Sequence, residues 1–271
     1  MRVVTLVENT SSREDFQSKH GLSLYAETAL HKLLFDLGPD DAYLANAGKL
    51  GVDVSDVDVA FVSHGHVDHG GGIETFLKVN DHAPVYVQKN AFADTGALVR
   101  GSYRFIGLDS KLEEHPQIAF ADGAKELDAE LLLFSDVEGQ FVSQGNRVLI
   151  ANFGKGFTKD DFRHEQYLVV REKGKNVLFS GCSHRGVANI LKKAEEHCGK
   201  IDICIGGFHL YDPVSRRPEE DELIDALAEK LLESDAVFYT CHCTGYSVYE
   251  RMKNILGGRI FYLSAGDEIT I

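Results

Sequence analysis

Residues 63–72 run Ser-His-Gly-His-Val-Asp-His-Gly-Gly-Gly, three histidines and an aspartate within six positions. Neutral imidazole binds zinc, iron, nickel or copper, and carboxylate accepts harder ions as well. In an extended loop, side chains two apart point the same way. His64 and His66 can then share one ion, and the following turn presents Asp68 and His69 to a second. Two metals about 3.5–4 Å apart are a hydrolytic arrangement that activates water between them. The glycines at 65 and 70–72 would let the backbone bend tightly beside the ions. A His-X-His pair alone is as readily a surface feature; His-X-His-X-Asp-His directly after an apolar strand is a metal signature.

Three further histidine motifs stand at strand ends: Gly181-Cys182-Ser183-His184, Gly206-Gly207-Phe208-His209 and Cys241-His242-Cys243-Thr244-Gly245. His164 lies just before a strand. In layered α/β proteins the loops at strand ends form the functional rim, so these segments converge on one polynuclear site. His242 reads as a ligand, and the flanking cysteines lack zinc-finger spacing. His184 and His209 are either ligands or substrate-facing acids or donors. His20, His31, His82, His115 and His197 have no such context and read as surface or packing residues.

The elements that must carry these residues follow from apolar patterning. Residues 23–28 and 32–37 read as paired strands, broken by Gly38-Pro39, and 41–50 as a short helix with Tyr43, Leu44, Ala47 and Leu50 at helical spacing. The buried strand 57–62 ends at the histidine loop; 73–79 is a helix and 84–87 a strand. Residues 167–170 and 176–180 form strands around a Lys-Gly-Lys turn, followed by a helix 186–197 and a strand 201–205. An amphipathic helix 219–233, a strand 236–240, a helix 246–256 and closing strands complete the chain. Residues 100–160, rich in glycine with short apolar runs, read as irregular loops over a site.

Composition limits the partners. The chain has 271 residues, 44% of them hydrophobic, and no apolar run long enough for a transmembrane helix. The first strand reaches Glu8 too soon for a secretory signal. The net charge of −14 counts against nucleic-acid binding, which draws on phosphate neutralisation. Five cysteines, an odd number, argue against a disulfide framework and for a reducing cytoplasm; Cys198 and Cys204 read as structural.

On these motifs the chain resembles the metallo-β-lactamase-fold superfamily over nearly its full length. The shared order is Phe35-Asp36-Leu37-Gly38, the His64–His69 loop, an isolated histidine before a hairpin, a bridging position at its end, and a last histidine. The resemblance implies a single domain over 1–271, with an irregular insert at about 100–160, built as a four-layer αββα sandwich of the α/β class. It implies two divalent metal ions, zinc first, with iron or manganese as alternatives. His64, His66 and His164 would hold the first ion; Asp68, His69 and His242 the second. The family's bridging aspartate is replaced by Cys182-Ser183-His184, so Cys182 or His184 takes the bridge.

The motifs Gly-Cys-Ser-His-Arg-Gly, Gly-Gly-Phe-His and Cys-His-Cys-Thr-Gly are similar to the branch named for 7,8-dihydropterin-6-methyl-4-(β-D-ribofuranosyl)aminobenzene-5′-phosphate synthase. The implied activity is metal-dependent hydrolysis, or a related transfer, on a small phosphorylated or anionic substrate. Asp68 would also orient water, and His209 would be the leaving-group acid. Free N–H groups at the helix start after Gly181–Gly186 favour an anion there, and Arg185 would add a contact, with His184 and His209 also facing substrate. A solvated Arg185 fits the sequence as well. A nuclease of the same fold and a metal- or ligand-binding protein without turnover are the alternatives. No nucleic-acid or membrane partner is expected, and a homo-oligomer stays open.

Overall fold

The computed structural model describes residues 1–11, 13–139, 142–212 and 214–271. The chain divides into two compact units. One comprises Met1–Asp122, Ile150–Gln166 and Ser264–Ile271; the other comprises Gly123–Leu149 and Tyr167–Leu263. Both are discontinuous in sequence, so no linker composition marks their boundary. No helix among the described residues is long and apolar enough to cross a membrane.

The first unit is organised on a seven-stranded sheet in the order Glu268–Thr270, Arg2–Val7, Ser23–Glu27, Lys32–Phe35, Val59–Phe61, Val85–Gln88, Ile118–Ala121. Its first four strands are antiparallel neighbours; from Lys32–Phe35 onward pairing is parallel, with Leu33 opposite Val59 and Phe35 opposite Phe61. Parallel strands are buried on both faces and so read as continuous apolar runs, as Val59-Ala60-Phe61 does. The helices Ala42–Lys49 and Ile73–Val79 contribute Tyr43, Ala47 and Phe76 to a core with Val4, Leu34 and Val85.

Two details depart from the pattern-based expectation and both position the site. Asp36 and Leu37 leave the strand: Asp36 takes a left-handed backbone at φ 62°, and Leu37 N–H bonds His69 O at 2.7 Å. His64 and His66 are not in an extended loop. His66 N–H returns to His64 O at 2.9 Å, a three-residue turn, and Val67–Gly70 then forms one helical turn.

The second unit has its own seven-stranded sheet, ordered Ile260–Tyr262, Val237–Thr240, Ile203–Gly206, Lys175–Phe179, Tyr167–Glu172, Leu131–Phe134, Lys125–Glu126. Lys173 and Gly174, both at positive φ, turn the Tyr167–Phe179 hairpin, as a two-residue hairpin loop requires. The next three strands run parallel to Lys175–Phe179, so the ends of Phe179, Gly206 and Thr240 lie along one edge of the sheet. The helices Val187–Cys198, Asp221–Leu232 and Tyr246–Leu256 cover it. On the middle helix Ile224, Leu227, Ala228 and Leu231 are buried at helical spacing, and Arg251 pairs with Asp221 and Asp225 on its outer side.

The expectation of irregular structure over 100–160 is corrected. That stretch holds the strands Ser102–Phe105, Ile118–Ala121, Lys125–Glu126, Leu131–Phe134, Leu149–Asn152 and Phe157–Lys159. Most are short, and Ser102–Phe105 and Phe157–Lys159 are exposed throughout, so neither shows the alternation that marks a half-buried strand. Each unit thus has the α/β layered character expected, a mixed sheet carrying helices.

Candidate metal centre

In the first unit four histidines meet in the interior. Ring centroids of His64 lie 4.5 Å from His66, 4.2 Å from His69 and 6.1 Å from His164; His66 and His164 are 5.2 Å apart. His64, His69 and His164 are fully buried and His66 nearly so. Asp68, on the helical turn, is partly exposed, with an oxygen 3.7 Å from His69 Nε2 and 3.3 Å from His20 Nε2. His20, read from sequence as without context, therefore faces a candidate ligand.

The close approach of backbones explains the glycines better than bending does. Gly71 and Gly72 have ordinary negative φ angles. A Cβ at Gly71 would lie 2.1 Å from Pro39 O, and one at Gly65 would lie 2.3 Å from Ala91 O. The loop is clamped against neighbouring main chain that no side chain could fit between.

A hub of buried polar groups decides which ring nitrogens face inward. Asp36 accepts the Ser63 N–H at 2.7 Å, the Ser63 hydroxyl at 2.9 Å and His69 Nδ1 at 2.6 Å. With its proton on Asp36, the Ser63 hydroxyl accepts from His64 Nδ1 at 2.8 Å. His64 and His69 therefore both carry the proton on Nδ1, which leaves the lone pair on Nε2, the form that ligates metal. The Nε2 atoms of His64 and His66 are buried and take no hydrogen bond among the described residues, although both rings are otherwise engaged. Burial, followed by the neighbouring His164, pushes His66 down to about 3, so its imidazole is neutral. Neutral imidazoles with oriented Nε2 atoms beside a carboxylate fit a divalent transition ion.

His164 is brought to this cluster in a different state. Its Nδ1 accepts Gly65 N–H at 3.1 Å, and its Nε2 donates to Asp160 at 2.9 Å, so both ring nitrogens are occupied. Burial acts to raise the Asp160 carboxyl, but the His164 contact and the Phe162 N–H outweigh it and hold it below the ordinary range. Gln166 fastens the segment to the strand ends through Val62 O and Tyr86 O, at 2.8 and 2.9 Å. Asp36, Ser63, Asp160 and Gln166 were not identified as site residues from sequence. Only Asp36 carried a signal, as part of Phe35-Asp36-Leu37-Gly38.

In the second unit residues of the three strand-end motifs lie near one another. Cys182, His184, His209, His242 and Cys243 are all buried. The ligand atoms of Cys182, His184 and His209 lie within 4.8 Å of one another, as do those of Cys182, His242 and Cys243. Ser183, His209 and His242 are non-glycine residues at φ 59°, 50° and 50°, the strained backbone that gathers at functional sites. Burial acts to raise the Cys243 thiol, yet its hydrogen bonds with Cys182 and His209 outweigh that and hold it well below the ordinary range. Arg185 reaches the carbonyl of Val137, so its guanidinium has a structural partner rather than a wholly solvated position.

Comparison with known proteins agrees with this architecture. The family model of the metallo-beta-lactamase superfamily matches residues 21–231. An uncharacterised protein of Methanocaldococcus jannaschii is 25% identical over 92% of this chain and 93% of its own. The same organism's 7,8-dihydropterin-6-methyl-4-(beta-D-ribofuranosyl)-aminobenzene-5′-phosphate synthase is 27% identical over 91% of this chain and 88% of its own. The crystal structure of Tm1679, described as a metal-dependent hydrolase of the beta-lactamase superfamily, superposes with a TM-score of 0.84. It is 29% identical and covers 100% of this chain and 99% of that one. Family match, fold and histidine motifs agree: the chain belongs to the metallo-beta-lactamase superfamily.

Proposed function

We propose that this protein is a metal-dependent hydrolase acting on a small, anionic, phosphorylated molecule in a reducing cytoplasm. The observation that carries this reading is the Asp36–Ser63 hub, which directs the Nε2 atoms of His64 and His69 as ligands beside neutral His66. Such a hub does for imidazole what second-shell carboxylates do in metalloenzymes: it sets tautomer, orientation and basicity together. The similarity to Tm1679, described as a metal-dependent hydrolase, supports the reaction type, and the similarity to the M. jannaschii synthase, whose named compound carries a 5′-phosphate, supports the substrate class.

His64, His66, Asp68 and His69 would hold divalent ions, with zinc the first expectation and iron or manganese the alternatives. The resemblance adds His164 and His242 to a dinuclear set. With Nε2 on Asp160, His164 would offer Nδ1 in exchange for the Gly65 N–H. A bound divalent ion supplies a water-derived nucleophile at neutral pH by lowering the pKa of water toward about 7. Asp68 is the one partly exposed carboxylate among the loop's candidate ligands and can orient that water and accept its proton. His66 stays neutral throughout the working pH range, so protonation does not compete with ligation there.

The test is turnover of a panel of phosphomonoesters, phosphodiesters and lactones by protein loaded with zinc, iron or manganese. Hydrolysis that requires the metal and is lost in a folded His66→Ala variant is the expected result. Unchanged hydrolysis by His66→Ala at full metal content would overturn the mechanism.

A further inference from the structure

The hairpins at 94–105 and 150–159 belong to the first unit and form a four-stranded sheet that the hydrolase reading leaves without a task. Its order is Phe157–Lys159, Leu149–Asn152, Asp94–Val99, Ser102–Phe105. Gly96 stands opposite Phe105, Leu98 opposite Tyr103, Asn152 opposite Phe157 and Ile150 opposite Lys159. Side chains alternate along a strand, so Leu98, Tyr103 and Phe105 share one face, as do Phe157 and Lys159. Tyr103 and Phe157 come from the two outer strands, yet their ring centroids are 5.1 Å apart, which puts both sets on the same face. That face is open: Leu98 is 41% exposed, Tyr103 44%, Phe105 52% and Phe157 47%, whereas Thr95, Ala97 and Ala151 of the other face are buried.

The rings lie down on main chain rather than standing away from it. A Cβ at Gly96 would collide with the ring of Tyr103, and one at Gly107 with the ring of Phe105. Tyr103 donates its hydroxyl to Asp94, which pins its ring in that pose. Exposed apolar groups gathered in one place mark a binding surface, and a ring laid flat offers its free side for stacking.

This surface adjoins the histidine loop. Thr95 Oγ1 donates to Gly65 O at 3.1 Å, and Val67 N–H reaches Ile106 O at 2.7 Å. The ring of Phe153, in the turn of the second hairpin, lies 6.4 Å from that of His164. Charge then selects the occupant. The acids in and just after the hairpins are engaged, Asp94 by Tyr103, Asp160 by His164 and Asp161 by Arg163. The cations Arg100, Arg104, Lys155 and Lys159 are exposed and take no ion pair among the described residues. In a chain of net charge −14 this face is locally basic. A second copy seated on it would set like charges against each other, whereas an anionic small molecule complements it.

We propose that this face is a substrate shelf: a planar aromatic group of the anionic substrate stacks on Tyr103 and Phe157 beside the histidine loop, and Lys155 and Lys159 meet its negative charge. The proposal rests on the hydrolase reading for the site that the shelf serves, and it adds a planar ring to the substrate class. Tyr103 and Phe157 bind the ring and take no part in the bond-breaking step.

Two phosphonates that cannot be hydrolysed serve as probes, 1-naphthylmethylphosphonate and the saturated cyclohexylmethylphosphonate, titrated by calorimetry into the metal-loaded full chain. The naphthyl probe should bind more tightly by about fivefold or more, the low end of what a ring stacked on an aromatic side chain gives. Tyr103→Leu and Phe157→Leu, both at exposed positions, should each remove most of that preference and leave the affinity for the cyclohexyl probe unchanged. Lys155→Gln and Lys159→Gln should weaken both probes alike and flatten their salt dependence. Equal affinity for the two probes in wild-type protein would overturn the proposal. So would a naphthyl preference that survives the Tyr103→Leu, Phe157→Leu double variant. A dimer in sedimentation that dissociates in that double variant would also overturn it, because the face would belong to a second copy. The preference is read without turnover and should persist in His66→Ala. Failure of metal-dependent hydrolysis with the preference intact would count against the mechanism and leave the shelf standing.

Discussion

Asp36→Asn isolates the hub from the fold. Asparagine keeps the side-chain volume and tolerates the left-handed backbone at φ 62°. Its one carbonyl oxygen can still take the Ser63 N–H, now 2.7 Å from Asp36. The amide nitrogen is a donor, and it would face the Ser63 hydroxyl and His69 Nδ1–H, both now donating to Oδ2. His69 must either oppose donor to donor or move its proton to Nε2, the nitrogen offered to the ion. Loss of an outer partner of this kind costs about 10–100-fold in metal affinity, or about 1.4–2.7 kcal/mol. One buried donor left unsatisfied costs about 1–3 kcal/mol of stability in the metal-free protein. At about 2–4 °C per kcal/mol for a chain of this size class, the melting temperature falls by roughly 2–12 °C. Zinc competition against a chromophoric chelator at neutral pH measures the first effect, and circular-dichroism melts of metal-free protein the second. Zinc affinity within about twofold of wild type, far short of the second-shell range, would refute the hub argument even if the melting temperature dropped, because Asp36 would then be a packing residue only.

Three further outcomes follow from the same geometry. Gly71→Ala drives a methyl into Pro39 O at 2.1 Å, where the obstacle is main chain and cannot swing away. Its melting temperature should fall by more than about 5 °C, the effect of a shift of a few kcal/mol, and a melt matching wild type would mean that the two backbones separate freely. Acid should also destabilise the metal-free protein through His66. Its folded value of about 3 lies below the ordinary 6.5, so the unfolded chain takes up the proton first. The stabilisation is complete above about pH 6.5 and is lost as pH falls toward 3, at up to about 1.4 kcal/mol per pH unit. Urea titrations from pH 7 to pH 4 should show a flatter dependence in His66→Gln, and an identical slope in the two proteins would remove His66 as the cause. Asp160→Asn removes the charge that His164 Nε2–H meets; it should weaken zinc binding less than Asp36→Asn does, because it touches one imidazole and not two, and the same chelator titration ranks them.

Much of the architecture was legible in the residues themselves. The runs at 59–61, 177–179, 203–205 and 237–240 are apolar enough to be interior strands, and the buried face of Asp221–Leu232 repeats at helical spacing. Histidine and cysteine placed directly after such strands marked the candidate site, since a strand end is a local feature that sequence order preserves. The exposed strands Ser102–Phe105 and Phe157–Lys159 were not legible, because pairing holds them in place without burying an alternating face.

Sequence alone determined which residues could ligate a metal: His64, His66, Asp68 and His69 stand in one short loop, and their chemistry needs no partner to be recognised. Tertiary structure decided how each of them can act. Asp36 reaches His69 across 33 positions of chain, Gly65 meets His164 across 99, and Asn146 meets His184 across 38. A tautomer is set by the group on the other ring nitrogen, and no spacing rule relates residues that far apart. The same holds for the glycines, whose need is a carbonyl pressed against Cα from another segment. Ligand identity is a property of the side chain, whereas ligand readiness is a property of its neighbours, and only folding brings those neighbours together.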